Sequence, residues 1–491
     1  MDDRVLNRAA ELAKEYLATL SERPVAQPVD LAALRAAMGG PLPEQGEDPT
    51  AVIERLAQAA DRGLVATAGP RYFGFVVGSN YPPATAADWL TSVWDQNAAM
   101  YVMSPAAAVV EEVAGGWLID LFGLPPGTSC GFTTGATMAN FTCLAAARHA
   151  VLRSAAWDVE ENGLINAPSI NVVVGDEAHV TIFAALQMLG LGRGRVHRVT
   201  ADGQGRMRPD ALRDTLASLD GPTIICAQSG NVNTGAFDPL PEIAVAIGDR
   251  AAWLHVDGAF GLWAAASPSR RHLEDGLARA DSWTTDAHKW LNVPYDAGLA
   301  FVRDAAAHRA AVTLGAAYYV ETEGGERDSY NWVPESSRRA RGFPIYAALR
   351  SLGREGLATL VDRCCDLARR MADRLADADG VEILNDVVLN QVLVRFGLPG
   401  GTTDDAAADA LTRDVVARVQ ADGTCWLGGT TWHGLAAMRV SVSSWQTTEA
   451  DIDMSAAAIL RCAEAAAEAA AEAAKQAAVA PETATPTGSP R

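Results

Sequence analysis

Residues Thr284–Asn292 read TTDAHKWLN, and residues Ala252–Gly261, one element earlier, read AWLHVDGAFG. Each is a short apolar or β-branched run that ends abruptly in a charged residue among small ones. The first delivers Lys289 and the second Asp257. Ile170–His179 (INVVVGDEAH), Thr223–Asn231 (TIICAQSGN) and Gly298–Arg303 (GLAFVR) share the pattern, with helical patterns between several of them. Continuous runs of this length suit strands buried on both faces, so the expected fold class is α/β, a mostly parallel sheet with helices on either side. Asp257 and Lys289 are 32 residues apart. That interval fits one strand–crossover–strand step and sets both side chains on the same rim of the sheet.

The flanks read differently. Residues 1–20 and 50–64 have amphipathic helical patterns separated by Pro/Gly-rich stretches. Lacking a core of their own, residues 1–65 are expected to pack on another lobe or another subunit. Residues 66–312 form the expected large α/β domain. Beyond a loop, a long helical pattern from Tyr346 precedes VEILND, NQVLVRF and AMRVSVSS. That order points to a smaller α+β domain within 313–475, ending in an Ala-rich helix. Residues 476–491 carry too few apolar groups to order themselves.

The chain has 491 residues, 60 acidic against 40 basic, for a formal charge of −20. Such a surface repels phosphate backbones and anionic lipid, which argues against nucleic-acid and membrane partners. Seven cysteines, odd in number and without a C-x-x-C pair, read as reduced thiols and not as a metal site. No apolar leader-like segment opens the sequence and no long apolar run crosses it, so a cytoplasmic location is expected.

Only three of the 40 basic residues are lysines, and Lys14 and Lys475 sit in polar helical patterns. Lys289 lies between His288 and Trp290. A lysine amine can shed its proton and attack a carbonyl, which a guanidinium cannot. Three other strand ends carry polar groups. In Cys130–Arg148 an apolar start runs through Thr133-Thr134-Gly135-Ala136-Thr137 into a helix, whose free N–H groups would hold a phosphate. His179 follows the 170–175 run and could stack on a flat ring. Asp257, followed by Gly258 and Ala259, is an expensive buried carboxylate with room beside it for a planar group. Singly these features read equally well as helix caps, a hydrogen-bonded histidine and a solvated lysine. Together they describe one ligand: an aldehyde for the amine, a ring nitrogen for the carboxylate, a ring face for the imidazole and a phosphate for the helix start. That ligand is pyridoxal 5′-phosphate.

The stretches TTGATMANF, DEAHVT, GNVNTGAFDP, HVDGAFG and DAHKWLNVPYDAG resemble, in order and spacing, the group II pyridoxal-dependent amino-acid decarboxylases. These belong to the fold-type I, aspartate aminotransferase-like superfamily. The resemblance runs from about residue 65 to 450. It implies decarboxylation of an L-amino acid to its amine by a homodimer whose active site lies at the subunit interface. It also implies covalent attachment of the aldehyde to Lys289, Asp257 on the ring nitrogen and His179 on the ring face. Gly135, Ala136 and Thr137 match the phosphate positions. Asn231, Ala259 and His288 match other cofactor or substrate contacts. A loop tyrosine that protonates the substrate α-carbon corresponds to Tyr318, with Tyr319 beside it. Arg439, in AAMRVSVSSW, lies where related aminotransferases clamp a carboxylate, so transamination or carbon–carbon cleavage stands as the alternative chemistry. A catalytically silent cofactor-binding protein is the alternative of another class. Where aromatic-amino-acid members carry Asn-Pro before His-Lys, this chain has Asp286-Ala287.

Overall fold

The computed structural model describes residues 3–313, 326–398 and 404–479. The apolar runs become strands β1 (Ser129–Thr133), β2 (Asn171–Gly175), β3 (His197–Val199), β4 (Thr223–Gln228), β5 (Ala252–Asp257), β6 (Ser282–Asp286) and β7 (Gly298–Val302). They form one sheet in the order β1-β7-β6-β5-β4-β2-β3. The pairs from β6 through β5, β4 and β2 to β3 are parallel, and β7 runs antiparallel to both of its neighbours. Strands β1, β4, β6 and β7 are buried along their whole length, as their lack of polar alternation requires. The step from β5 to β6 is made by three short 3₁₀ segments within Gly261–Arg279, with no full α-helix.

Helices α1 (Asp3–Thr19), α2 (Leu31–Met38) and α3 (Pro49–Asp61) precede α4 (Pro82–Trp94) and α5 (Pro105–Phe122). The sequence pattern leaves 21–49 as a plain separator. Yet LAALRAAM forms α2, because the Asp30 carboxylate accepts from the Ala32 and Ala33 N–H groups and caps it. Next come α6 (Ala136–Ser154), the single turn α7 (Val159–Asn162), α8 (Val180–Met188), α9 (Pro209–Ala217), α10 (Leu240–Ile247) and α11 (Ala305–Val312). The long helix expected from Tyr346 is α12 (Gly342–Ala376), but it breaks at Gly353, whose φ of 61° lies in the left-handed region. Beyond it β8 (Val381–Ile383), β9 (Gln391–Phe396), β10 (Gly428–Trp432) and β11 (Leu435–Ser441) make an antiparallel sheet in the order β10-β11-β9-β8. Helices α13 (Asp405–Asp422) and α14 (Glu449–Val479) accompany it.

One buried carboxyl links this core to the rim. Glu274 takes a hydrogen bond from the Ser229 hydroxyl, and Ser229 in turn donates its N–H to the Asp257 carbonyl. The second oxygen of Glu274 has no partner among the described residues. Burial pushes the carboxyl up to about 8 from its ordinary value of 4.5. The neutral form therefore contributes stability that is full below the unfolded value and is lost as pH rises toward 8. Denaturant titrations at pH 5.5 and 8.5 should show a loss on the order of a few kcal/mol in the wild type, since tenfold in proton affinity is worth about 1.4 kcal/mol. Glu274→Gln, which cannot ionise, should largely remove the loss. Equal pH dependence in both proteins would show that Glu274 ionises without penalty.

Candidate active site

Parallel β5 and β6 end together, with Asp257 opposite Thr284 in the register and His255 opposite Ser282. Side chains two apart on a strand share a face, so His255 and Asp257 both point toward the helix lying over them, α6. From that helix Asn140, fully buried, reaches both. Its Nδ2 donates to Asp257 Oδ2 at 3.1 Å, and its Oδ1 takes the proton of His255 Nε2 at 2.9 Å and that of the Thr284 hydroxyl at 2.9 Å. His255 Nδ1 lies 2.9 Å from the Ser282 hydroxyl, which also accepts from Trp253 Nε1 at 2.8 Å. A continuous buried chain thus runs Trp253–Ser282–His255–Asn140–Asp257. Burial brings His255 down to about 4, so its imidazole is neutral and carries its single proton toward Asn140. Asp257 also accepts from the Ala259 N–H (3.1 Å) and sits 3.4 Å from the Thr181 hydroxyl. It is 3% exposed, and its hydrogen-bond partners among the described residues include no cation. A buried carboxylate so arranged is a receptor for a cationic or N–H group.

His179 caps α8. Its Nδ1 lies 2.9 Å from the Thr181 hydroxyl and accepts the Thr181 N–H at 3.4 Å. Burial lowers its pKa first of all, while Asp257 and Asp286 raise it and Lys289 and Arg439 lower it. One neutral imidazole is therefore within electrostatic reach of all four charged groups that the site brings together.

Lys289 lies in the turn after β6, its Nζ 3.1 Å from Asp286 Oδ2 and 5.9 Å from the centre of the Phe260 ring. Gly78 packs against this turn so closely that a Cβ there would lie 1.9 Å from the Lys289 carbonyl oxygen. His288 accepts the Ala297 N–H on Nδ1 at 3.3 Å. Its proton is therefore on Nε2, 3.6 Å from Asp286 Oδ2. The ring packs on Tyr295, and burial lowers its pKa.

Helix α6 opens at Ala136 after Gly135, with no side-chain cap. A Cβ on Gly298 would fall 2.4 Å from Gly135 Cα, so β7 and this helix start meet backbone to backbone. The Ala136 N–H donates to Asp286 Oδ1 at 2.6 Å. Those of Thr137 and Met138 find no acceptor among the described residues. Donors without acceptors at the head of a 19-residue helix are what a phosphate needs. The amine, the carboxylate without a cation, the neutral ring and the helix start therefore fit pyridoxal 5′-phosphate.

Other expected residues stand as follows. Asn231 is buried after β4, and its Oδ1 accepts the N–H groups of Asn233 (2.8 Å) and Thr234 (3.2 Å). Its amide thus shapes the 231–234 turn. Arg439, on β11 opposite Gly428 and Leu393, is half-buried and forms no ion pair among the described residues. Tyr318 and Tyr319 lie outside the described residues. Sequence reasoning misses Asn140, His255, Thr284 and Asp286 as site residues. Their signals are the spacing of one helical turn from Ala136 to Asn140, the alternation from His255 to Asp257, and the acid closing β6.

Comparison with known proteins identifies the lineage. Residues 33–397 match the family described as the pyridoxal-dependent decarboxylase conserved domain. An aromatic-L-amino-acid decarboxylase of Bacillus atrophaeus is 26% identical over 90% of this chain and 91% of its own length. An L-2,4-diaminobutyrate decarboxylase of Rhizobium meliloti is 29% identical over 83% and 81%. Among solved structures, Oryza sativa TDC with PLP and tryptamine superposes with a TM-score of 0.88 at 23% identity, covering 94% of this chain and 97% of that one. Mouse CSAD gives 0.87 at 23%, covering 94% and 98%. At that identity the two structures speak for the fold alone, but the match across most of the sequence decides the lineage: this chain belongs to the pyridoxal-dependent decarboxylase family.

Proposed function

We propose that this enzyme removes the α-carboxylate of an L-amino acid as CO₂ and releases the amine, with pyridoxal 5′-phosphate held by Lys289, Asp257, His179 and the head of α6. The observation that carries the reading is the set of groups at the adjoining ends of β5 and β6: Asp257 held by Asn140 and the Ala259 N–H, and Lys289 paired with Asp286, whose other oxygen takes the first N–H of α6. When bound, the cofactor supplies an aldehyde for the substrate's amine and a cationic ring that draws off the electron pair left by departing CO₂. Asp257, fixed by Asn140 and the Ala259 N–H, keeps a proton on the ring nitrogen because its negative charge favours the charged form. Neutral His179 offers a ring face without adding charge. The free N–H groups of Thr137 and Met138 take the phosphate, and His288 presents Nε2–H beside them. Lys289, its Nζ 3.1 Å from Asp286 Oδ2, would supply the amine that attaches the aldehyde and gives way to the substrate's amine. Asn231 and Ala259 hold the loops that flank the ring. Arg439 is a cation without a carboxylate partner among the described residues, which supports a role in taking a substrate carboxylate. The α-carbon is protonated by Tyr318 or Tyr319.

The proposed active form is a cytoplasmic homodimer. Among the described residues no helix is long and apolar enough to cross a membrane. Helix α4 exposes Trp89, Leu90, Val93 and Trp94, and Val102 and Met103 follow just beyond it. Helix α1 buries no residue within the chain. Such a patch fits an obligate interface. Sedimentation should give twice the 51.6 kDa chain mass, and Val93→Asp should shift it toward one. A wild-type protein that sediments as a monomer while active would remove this part of the proposal.

The activity is tested by incubating holoenzyme with single L-amino acids and measuring CO₂, amine and keto acid. CO₂ with stoichiometric amine supports the reading. Keto acid formed with a second amino acid points instead to transamination. A cofactor spectrum that no amino acid perturbs points to a silent binding protein.

A further inference from the structure

The acid at position 286 occupies the helix start that the phosphate is proposed to take. Asp286 is 3% exposed, and its two oxygens hold the first N–H of α6 at 2.6 Å and Lys289 Nζ at 3.1 Å. Its backbone is pinned by the Ala259 carbonyl and the Trp263 indole, so the carboxylate is fixed at this point. The groups facing it are Lys289 and His288 from its own turn, Tyr295 from the loop beyond and His179 from the head of α8. Asp296, which also acts on His288, is engaged by Arg341. Lys289 is the only permanent cation in this set.

A phosphate dianion at the α6 N-terminus competes with Asp286 for the Ala136 N–H and lies beside its charge. Two anions in one poorly solvated site do not both stay ionised. Resting on the phosphate position proposed above, we infer that Asp286 is a positioning residue that makes cofactor binding proton-linked: the phosphate is accepted together with one solvent proton taken up by the Asp286 carboxylate. As a neutral acid Asp286 turns from acceptor to donor toward the phosphate, and its hold on Lys289 loosens, which frees the amine. No covalent bond changes in this step other than the one O–H bond that forms at Asp286, and the proton comes from buffer. The linkage would make retention of the cofactor weaken as pH rises, so alkaline conditions would favour its loss.

The test uses pyridoxine 5′-phosphate on cofactor-free wild type and Asp286→Asn. This probe has no aldehyde, so it cannot condense with Lys289 and confuse the proton count. Calorimetry at pH 8 in two buffers of different ionisation enthalpy counts protons, and repeating it from pH 5.5 to 8.5 gives the affinity profile. Wild type should take up about one proton more than Asp286→Asn, and the variant should bind at least about tenfold tighter at pH 8, with the gap closing toward pH 5.5. Asp286→Ser, smaller and also neutral, serves if the asparagine variant does not fold. Equal proton uptake with equal or weaker binding by the neutral variants overturns this inference while leaving the proposed cofactor site intact. No binding of the probe to wild type overturns both.

Discussion

Lys289→Arg is expected to abolish decarboxylation, with a fall on the order of 10⁴-fold or more, while the protein keeps its fold. The substitution preserves the positive charge beside Asp286, so the ion pair at the end of β6 survives. What it removes is an amine that can exist without its proton, since a guanidinium stays charged at any accessible pH. The measurement has two parts. Borohydride reduction of wild-type holoenzyme followed by tryptic digestion should leave the pyridoxyl label on the peptide containing Lys289, and Lys289→Arg should show none. Lys14 lies on α1 and Lys475 on α14, in polar helical settings, so neither offers a substitute. A label on either of them, or turnover surviving in the variant, would refute the assignment. Lys289→Ala separates charge from chemistry: it should be as inactive as the arginine variant but should also leave Asp286 without its cation.

How much of this is legible in the sequence follows from the range of each interaction. The ends of β5 and β6 can be read because a strand buried on both faces needs a continuous apolar run, and the run's end marks the rim. Lys289 and Asp257 stand out there because buried charge requires a reason. The antiparallel β7 cannot be read, since GLAFVR is equally apolar whichever way it runs. Nor can the crossover between β5 and β6, which consists of 3₁₀ turns where a helix is equally compatible with the spacing. Asn140 and His255 are 115 residues apart in the chain, and their hydrogen bond exists only because α6 packs over β5. Asp286 is visible in the sequence as a departure from the aromatic-amino-acid members, and its contacts with Ala136 and Lys289 give the departure a physical meaning. Arg439 is found by its position in the chain, and the structure adds only that no described carboxylate neutralises it.

Asp257→Asn is expected to cost nearly as much as loss of the lysine, and for a reason that separates the two. At hydrogen-bonding distance a carboxylate and a cationic ring attract by about 4 kcal/mol at an effective dielectric of 20. That is about a thousandfold in rate if the attraction is fully expressed when CO₂ departs. The asparagine side chain keeps the shape, but its single oxygen can accept from the Ala259 N–H or from the Asn140 amide and not from both, since these meet different oxygens of Asp257. The fold and the Lys289 label should persist, at a cost of about 1–3 kcal/mol for the donor left unmet. What changes is the proton on the ring nitrogen, which no longer has an anion to hold it at neutral pH. The expected signature is therefore a cofactor that remains covalently attached while turnover falls about a thousandfold, with activity partly recovered at low pH, where the ring is protonated without help. Asn140→Leu tests the chain behind the acid. It leaves His255 Nε2–H and the Thr284 hydroxyl without their shared acceptor and takes one donor from Asp257, at about 1–3 kcal/mol for each buried group left unmet. The acid then keeps its charge but loses its aim, so the variant should be less stable and intermediate in rate, and its activity should not recover at low pH. If the asparagine variant at 257 is as active as wild type, the ring nitrogen is being held by some other group, and the buried chain from Trp253 to Asp257 serves the fold alone.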